Sequence, residues 1–275
     1  MANRRFLVMA RVGDKSLHGK WIEGGTRNFD LYLSYYGSTP GKYAQDADYL
    51  REIKGLKWPV LHNHIVEEKG LIEKYDAVWF PDDDLLMDTQ SINRMFDLFC
   101  AFNLSLAQPA LSWDSYCYHF ILLRNDDSIL RYTNFVEVMA PVFSKDALSY
   151  LGKTFNQVRF GHGLDFLWPY LIEPKFGQNA IAVIDAVEMV HTRSGGGGDI
   201  YKADPANSPL GDLMMLRGLY PDAVIDYKLY RKKIRHCASI VPEKIRTGIL
   251  TKIKAMIAKW NLNRRVRQTK KYSAS

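Results

Sequence analysis

The stretch AVWFPDDDLL, Ala77 to Leu86, sets three consecutive carboxylates directly behind an apolar run. Like charges side by side repel, most strongly beside a low-dielectric core. A solvated acidic turn tolerates them without function; a hard divalent cation, which takes carboxylate oxygens, turns them into a binding site. The flanks bear on the choice. Val78, Trp79 and Phe80 are strand formers and Pro81 ends regular pairing. Asp82 and Asp84 are two apart, so in an extended segment they face the same way. Asp88 follows Leu85-Leu86-Met87 and is suited to cap a helix. The triad is therefore expected at the carboxyl end of a buried strand, where open α/β sheets bind their ligands.

Outward from this point the chain alternates. Strands are predicted at Arg5–Val12, Phe29–Tyr36, Ala77–Phe80, Leu104–Ala107 (stopped by Pro109) and Ala180–Val190, with Thr133–Phe143 as one extended apolar run. Helices are predicted at Asp48–Lys54, along His64–Tyr75, over Thr89–Asn103 and from a Ser144 cap through Leu151. In the third of these, Ile92, Met95, Phe96 and Phe99 keep helical spacing. The pattern predicts an α/β fold, with a mainly parallel sheet and helices on both faces.

The composition, 47% hydrophobic and 13% aromatic over 275 residues, describes a well-filled core. The three cysteines, Cys100, Cys117 and Cys237, lack CxxC spacing and cannot all pair, which argues against a disulfide scaffold or a zinc site. No stretch approaches the ~18 apolar residues of a spanning helix. No secretory leader is read at the start, so the expected setting is cytoplasmic. Charge is uneven: residues 231–275 hold fourteen Lys/Arg against one acid, Glu243, giving +13 of a total of +7 and leaving −6 on residues 1–230. Two units are expected, a body at 1–230 and a basic helical tail at 231–275. In the tail Ile249, Leu250, Ile253, Met256, Ile257 and Trp260 form an amphipathic stripe among lysines, which reads as a peripheral anchor on an anionic membrane face, the alternative being a helix packed on the body. No nucleic-acid partner is expected, because no recognised motif accompanies the basic run.

Further groups carry chemistry. His191 ends the last strand, where an imidazole near carboxylates is a common metal ligand. Arg193 has the fork geometry for phosphate oxygens. Gly195–Gly198 form an unrestricted loop, but the spacing matches neither GxGxxG nor a P-loop. In FGHGLDFLWPYL (residues 160–171), Gly161 and Gly163 permit tight backbone geometry, and Asp165 opens an apolar segment. Asp165 reads either as a general base or as a helix-dipole acid. Glu137 is a lone charge in an apolar run, which needs a partner or a purpose. Tyr116, Tyr118 and His119 are either sugar-stacking groups or packing.

The segments PDDDLLMDTQSINRMFDL, QPALSWDSY, LRYTNFVEVMAPVFSKDAL, GLDFLWP and IAVIDAVEMVHTR together resemble an uncharacterised domain family of plants and bacteria, whose plant members are labelled lysine-ketoglutarate reductase trans-splicing related. The same landmarks are similar to those of GT-A glycosyltransferases. That resemblance implies a single GT-A-like (Rossmann-like) domain in which Asp82 and Asp84 are the DxD pair and His191 the late metal ligand. It implies a Mn²⁺ or Mg²⁺ cofactor on Asp82, Asp84 and His191, and a UDP- or GDP-sugar donor contacted by Arg11, Asp14, Asp82, Asp83 and Arg193. Asp165 matches the acid that deprotonates the acceptor in an inverting reaction, with Glu137 as the other candidate. His162 stands where many such enzymes have Trp. The implied role is transfer of a sugar to a glycan or lipid-linked acceptor, in bacterial surface polysaccharide synthesis, by an enzyme peripheral to the inner membrane face. Two other readings share part of this pattern: a metal-dependent phosphoester hydrolase, and a non-catalytic carbohydrate or membrane-surface binder.

Overall fold

Phe6–Val12 is buried at every position and forms β1. The structure is a computed structural model and describes residues 4–194, 209–226, 234 and 236–240. After β1 come α1 (His18–Trp21), β2 (Phe29–Tyr35), β3 (Tyr49–Glu52), α2 (Lys57–Glu67), α3 (Lys69–Ile72), β4 (Ala77–Trp79), β5 (Leu85–Leu86) and α4 (Thr89–Ala101). They are followed by β6 (Leu106–Leu111), β7 (Leu130–Thr133), β8 (Val142–Ser144), α5 (Lys145–Leu151), α6 (Leu164–Phe176), β9 (Ile181–His191), α7 (Pro209–Leu219) and β10 (His236–Ile240). The sheet order is β10-β7-β9-β6-β8-β4-β1-β2-β3, with β5 paired to β9. β3, β2, β1 and β4 are mutually parallel; β8 runs against β4 and β6, β6 and β9 are parallel, and β7 runs against β9 and β10. Apart from β8, β7 and the short β5, every strand thus points one way. The sheet is largely parallel, as the apolar runs predict.

The order β3-β2-β1-β4 places the reversal of winding between β1 and β4, where such sheets open a crevice at the carboxyl ends of their strands. Two capping expectations hold: Asp88 accepts from Ser91 N at 2.7 Å at the start of α4, and Ser144 accepts from Ala147 N at 3.2 Å at the start of α5. Three element expectations do not. Asp48–Lys54 is not a helix; Tyr49–Glu52 adds a parallel edge strand to β2, and Asp48 caps that pairing by accepting from Leu31 N at 2.8 Å. Pro109 does not stop its strand. β6 runs through it to Leu111 because the β6–β9 register shifts between Pro109 and Ala110, so the missing N–H falls at an irregularity. Thr133–Phe143 is not one extended segment but the end of β7, a loop, and β8. Pro141 precedes β8, and Glu137 N turns to the Gln108 side chain instead of a neighbouring strand. The sheet also continues past residue 230, since β10 pairs with β7. The amphipathic stripe at 249–260 and the Gly195–Gly198 loop lie outside the described residues.

Beneath β4 and β8, an aromatic wedge joins α2 and α6. Trp58 meets Phe155 edge-on at 4.6 Å and Trp168 at 5.3 Å, and Phe143 meets Trp168 at 5.0 Å. Such pairs contribute roughly 0.5–1.5 kcal/mol each beyond their burial. The wedge fixes the start of α6, and with it Asp165, relative to the β4 loop.

Candidate active site

The β4 loop and the β9 end meet because β5 pairs with β9, putting Leu85 opposite His191. Thr192 closes the join, donating to the Asp84 carbonyl from its N–H at 3.2 Å and its hydroxyl at 2.8 Å. The side chains follow: His191 Nε2 lies 3.5 Å from Asp84 Oδ2. His191 Nδ1 is 2.9 Å from the Tyr116 carbonyl, so it carries a proton and Nε2 is the nitrogen presented to the carboxylate. Burial lowers the His191 pKa, but Asp84 more than offsets this and the net shift is upward. Asp84 Oδ1 is buried and without a hydrogen-bond partner.

Asp82 points elsewhere. Its Oδ1 is 2.5 Å from Lys57 Nζ, which also donates to the carbonyls of Phe80 and Val138, each at 3.1 Å. Burial raises the Asp82 pKa against the pull of Lys57, and Asp84 adds to the rise. Asp83 ties the switch point together: its Oδ2 accepts from Gly13 N at 2.8 Å, and its carbonyl accepts from Leu17 N at 2.8 Å. Arg193 lies 3.7 Å from Asp83 and donates to the Lys15 carbonyl at 2.5 Å, joining the β1 and β9 loops. Asp14 lies in the same crevice, accepting from the Tyr35 hydroxyl at 2.5 Å and paired with Lys42 at 3.1 Å. Arg11 does not face the crevice. It lies within β1, is buried, and donates to Ser34 Oγ, Ile53 O and Gly55 O, so its fork fastens β1 to β2 and the β3 exit.

Two more carboxyls, Glu137 and Asp165, lie within electrostatic reach of this group, Glu137 feeling Asp165, His191 and Asp82. Glu137 Oε2 and Asp165 Oδ1 are buried atoms without a hydrogen-bond partner. Burial pushes Asp165 up to about 7, against the backbone N–H groups of its own helix start. Burial pushes Glu137 up to about 8, with Asp165 and Asp82 adding to the rise and His191 opposing it. Asp82, Glu137, Asp165 and His191 thus share one electrostatic neighbourhood. Tyr116 and Tyr118 are exposed on the adjoining loop, whereas His119 is buried against Phe135 at 4.4 Å. The loop is braced by the Arg131–Asp185 pair: Arg131 contacts Asp185 at 2.6 and 2.7 Å and donates to the carbonyls of Ile121 and Leu123.

Asp84 and His191 would suit a divalent cation, as an imidazole nitrogen and a carboxylate oxygen without a partner. Among the described residues, however, no three His, Cys, Asp or Glu side chains close into a metal nest, because Asp82 is held by Lys57. Sequence reasoning missed Lys57, the Tyr116 carbonyl and Asp212. Asp212, on α7, accepts from the N–H groups of Arg159, Phe160, Gly161 and His162 at 2.7 to 3.2 Å, fixing the turn before Asp165. No signal in the sequence marks them: one is a lysine at a helix start, one a backbone atom and one an acid in a first helical turn.

No family model matches the chain and no curated protein matches it, so the lysine-ketoglutarate reductase trans-splicing related resemblance finds no support there. Solved structures do match. Staphylococcus aureus TarS, in complex with UDP-GlcNAc, aligns with a TM-score of 0.50 and 11% identity over 83% of this chain and 70% of its own. A Pyrobaculum calidifontis mannosyltransferase in complex with GDP-Man and Mn²⁺ gives a TM-score of 0.48 and 12% identity, over 98% and 75% of the two chains. Glucosyl-3-phosphoglycerate synthase from Mycobacterium tuberculosis, in complex with Mn²⁺, UDP and phosphoglyceric acid, gives 0.48 and 12%, over 79% and 78%. Of the three, TarS reaches 0.50, and at 11% identity it speaks for the fold alone. The chain is an α/β protein of GT-A-like fold with a largely parallel central sheet.

Proposed function

We propose that this chain is a metal-dependent glycosyltransferase that moves a sugar from a nucleotide-sugar donor to a hydroxyl of a glycan or lipid-linked acceptor. The observation that carries the reading is the Asp84–His191 pair at the carboxyl edge of the sheet, near the buried acids Asp165 and Glu137, each with one oxygen that has no hydrogen-bond partner. Asp84 and His191 would hold Mn²⁺ or Mg²⁺, which supplies neutralisation of the charge that develops on the leaving diphosphate. Arg193 and the Gly13–Asp83 join border the phosphates. The nucleoside is assigned to the depression of about 400 Å³ lined by Tyr35, Ser38, Glu52 and Lys54, next to Asp14. Asp82, neutralised by Lys57, borders the transferred sugar. Asp165 takes the acceptor proton as the new acceptor O–C1 bond forms. The C1–O bond to phosphate breaks, and the nucleoside diphosphate leaves with its electron pair. A carboxyl with a pKa near 7 suits this task at neutral pH. Since the group's charge is costly where it sits, it takes a proton readily.

The test is a screen of UDP- and GDP-sugars for Mn²⁺-dependent donor hydrolysis, with calorimetry of UDP and GDP with and without Mn²⁺. The expected result is micromolar-range, metal-dependent binding of one nucleotide and slow hydrolysis of one of its sugars. Absence of metal-dependent binding for both nucleotides would overturn the reading.

A further inference from the structure

Two opposite faces divide α7. Inward, Asp212 and Leu216 are buried, and the Asp212 carboxylate gathers the four N–H groups of the Arg159–His162 turn. Outward, at helical spacing, lie Leu210, Gly211, Met214, Met215, Gly218 and Leu219. Of these Leu210 is 60% exposed, Met214 65%, Met215 54% and Leu219 52%. That half of the helix carries no charged residue. Arg217, at its margin, is turned away to the Ile225 carbonyl at 2.6 Å and to Asp226 at 2.9 Å. A helix face meant for water is normally polar. Four large apolar side chains and two glycines have no solvation rationale, and clustered apolar exposure marks an interaction surface.

The charge distribution selects the partner. The segment 231–275, with its net +13, begins a dozen residues after α7 ends, and its apolar spacing finishes in Trp260. A protein partner, or a second copy of this chain, would satisfy the uncharged face but leave the cations unused. An anionic bilayer takes both: apolar side chains enter the headgroup–acyl boundary, and Lys and Arg meet the lipid charge. We propose that the outward face of α7 docks on an anionic lipid surface. Asp212 joins the same helix to the turn preceding Asp165, so docking brings the acceptor side of the site to the bilayer and selects a lipid-borne acceptor. That last step rests on the transferase reading; the docking itself does not.

The experiment is flotation of the full chain with vesicles of phosphatidylcholine, and of phosphatidylcholine with phosphatidylglycerol, at low and high salt. The variants are Leu210→Glu/Met214→Glu and a control, Val66→Glu, at an exposed position on α2. Expected are binding to anionic vesicles that weakens with salt, at least a tenfold loss in the α7 variant at unchanged Tm, and no loss in the control. Donor hydrolysis without lipid stays unchanged in the α7 variant. Equal binding of the α7 variant and the native chain overturns the proposal, as does a native chain that ignores anionic vesicles. A large fall in Tm, or loss of a dimer in solution, on Leu210→Glu/Met214→Glu also overturns it, by showing that protein covers the face. Vesicle binding without donor hydrolysis would sink the transferase reading and leave the docking standing; hydrolysis without vesicle binding would do the reverse.

Discussion

His191 Nε2 stands 3.5 Å from Asp84 Oδ2, while its Nδ1 is anchored 2.9 Å from the Tyr116 carbonyl. Three loops, from β4, β6 and β9, converge to make that arrangement, and the carbonyl sets which imidazole nitrogen faces the carboxylate. An oriented imidazole beside an unpartnered buried carboxylate oxygen is chemistry held ready for a cation. Asp84→Ala and His191→Ala are each expected to weaken Mn²⁺-dependent UDP or GDP binding by at least about tenfold, given that loss of a supporting partner alone costs about 10–100-fold. Tm should change little in Asp84→Ala but fall in His191→Ala, which leaves the Tyr116 carbonyl without its donor. Calorimetry with and without Mn²⁺ decides, and equal affinity in both variants would move the metal elsewhere.

Asp165 has a pKa pushed up to about 7 by burial. A general base works only when deprotonated, so kcat/KM should rise with pH through about 7 and level off above it. Asp165→Asn should keep nucleotide binding and lose about 10²–10⁴-fold in transfer, with the rising limb abolished. If Asp165→Asn retains near-native turnover while Glu137→Gln does not, the base is Glu137, and the limb should then centre nearer 8.

Much of this site was legible because strand ends are legible. An apolar run closed by Pro81 and three acids, and a second run closed by His191, place both groups on one sheet edge whatever the intervening structure. The Asp88 and Ser144 caps were readable for the same reason, since capping is a local interaction. What failed was decided across the chain. Asp48–Lys54 has the composition of a short helix, but β2 offers it a free edge. Pro109 looks like a stop until the partner strand shifts register around it. Glu137 looks like a strand residue, and only the Gln108 side chain, 2.7 Å from its N–H, shows why the backbone leaves the sheet there. Arg11 was expected after β1, in contact with the nucleotide, yet it lies within β1 and its guanidinium donates to Ser34, Ile53 and Gly55. The clasp of Asp212 on four amides lies some fifty residues from its partners in sequence, and no local pattern announces it.

The two raised carboxyls also set a direction for stability. In the unfolded chain both release their protons near pH 4. In the folded protein they hold them to about 7 (Asp165) and about 8 (Glu137). Their stabilising contribution is therefore complete below about pH 4 and is lost as pH rises through the folded values. Between those limits the unfolded state binds fewer protons, so stability falls by on the order of 1.4 kcal/mol per pH unit for each group, as an upper bound. The double variant Asp165→Asn/Glu137→Gln, neutral at every pH, should be more stable than the native chain at pH 8 and show a flatter profile between pH 5 and 8. Urea midpoints across that range are the check; parallel profiles would mean the two acids ionise freely in the fold.

Gly161 couples the aromatic wedge to the acceptor side of the site. Its φ is +97°, and an added Cβ would lie 2.2 Å from Trp58 Nε1 and 2.5 Å from Trp58 Cδ1. Trp58 has nowhere to retreat, being buried between Phe155 at 4.6 Å and Trp168 at 5.3 Å. Gly161 N also donates to Asp212 at 3.0 Å, in the turn that fixes Asp165. Gly177 is the natural control, with a φ of +92° but nothing within 4 Å of an added Cβ. Gly177→Ala should cost only its backbone penalty, about 1–3 kcal/mol for a side chain forced to φ +92° and ψ 166°. Gly161→Ala should add an overpacking cost of about 1–3 kcal/mol and, on the proposed roles, lower transfer more than nucleotide binding, because the displaced turn precedes the proposed base Asp165 and not the proposed diphosphate contacts. Urea denaturation of the two variants separates the terms. If Gly161→Ala is no less stable than Gly177→Ala, the wedge is softer than its aromatic packing implies, and the turn can move without loss to the site.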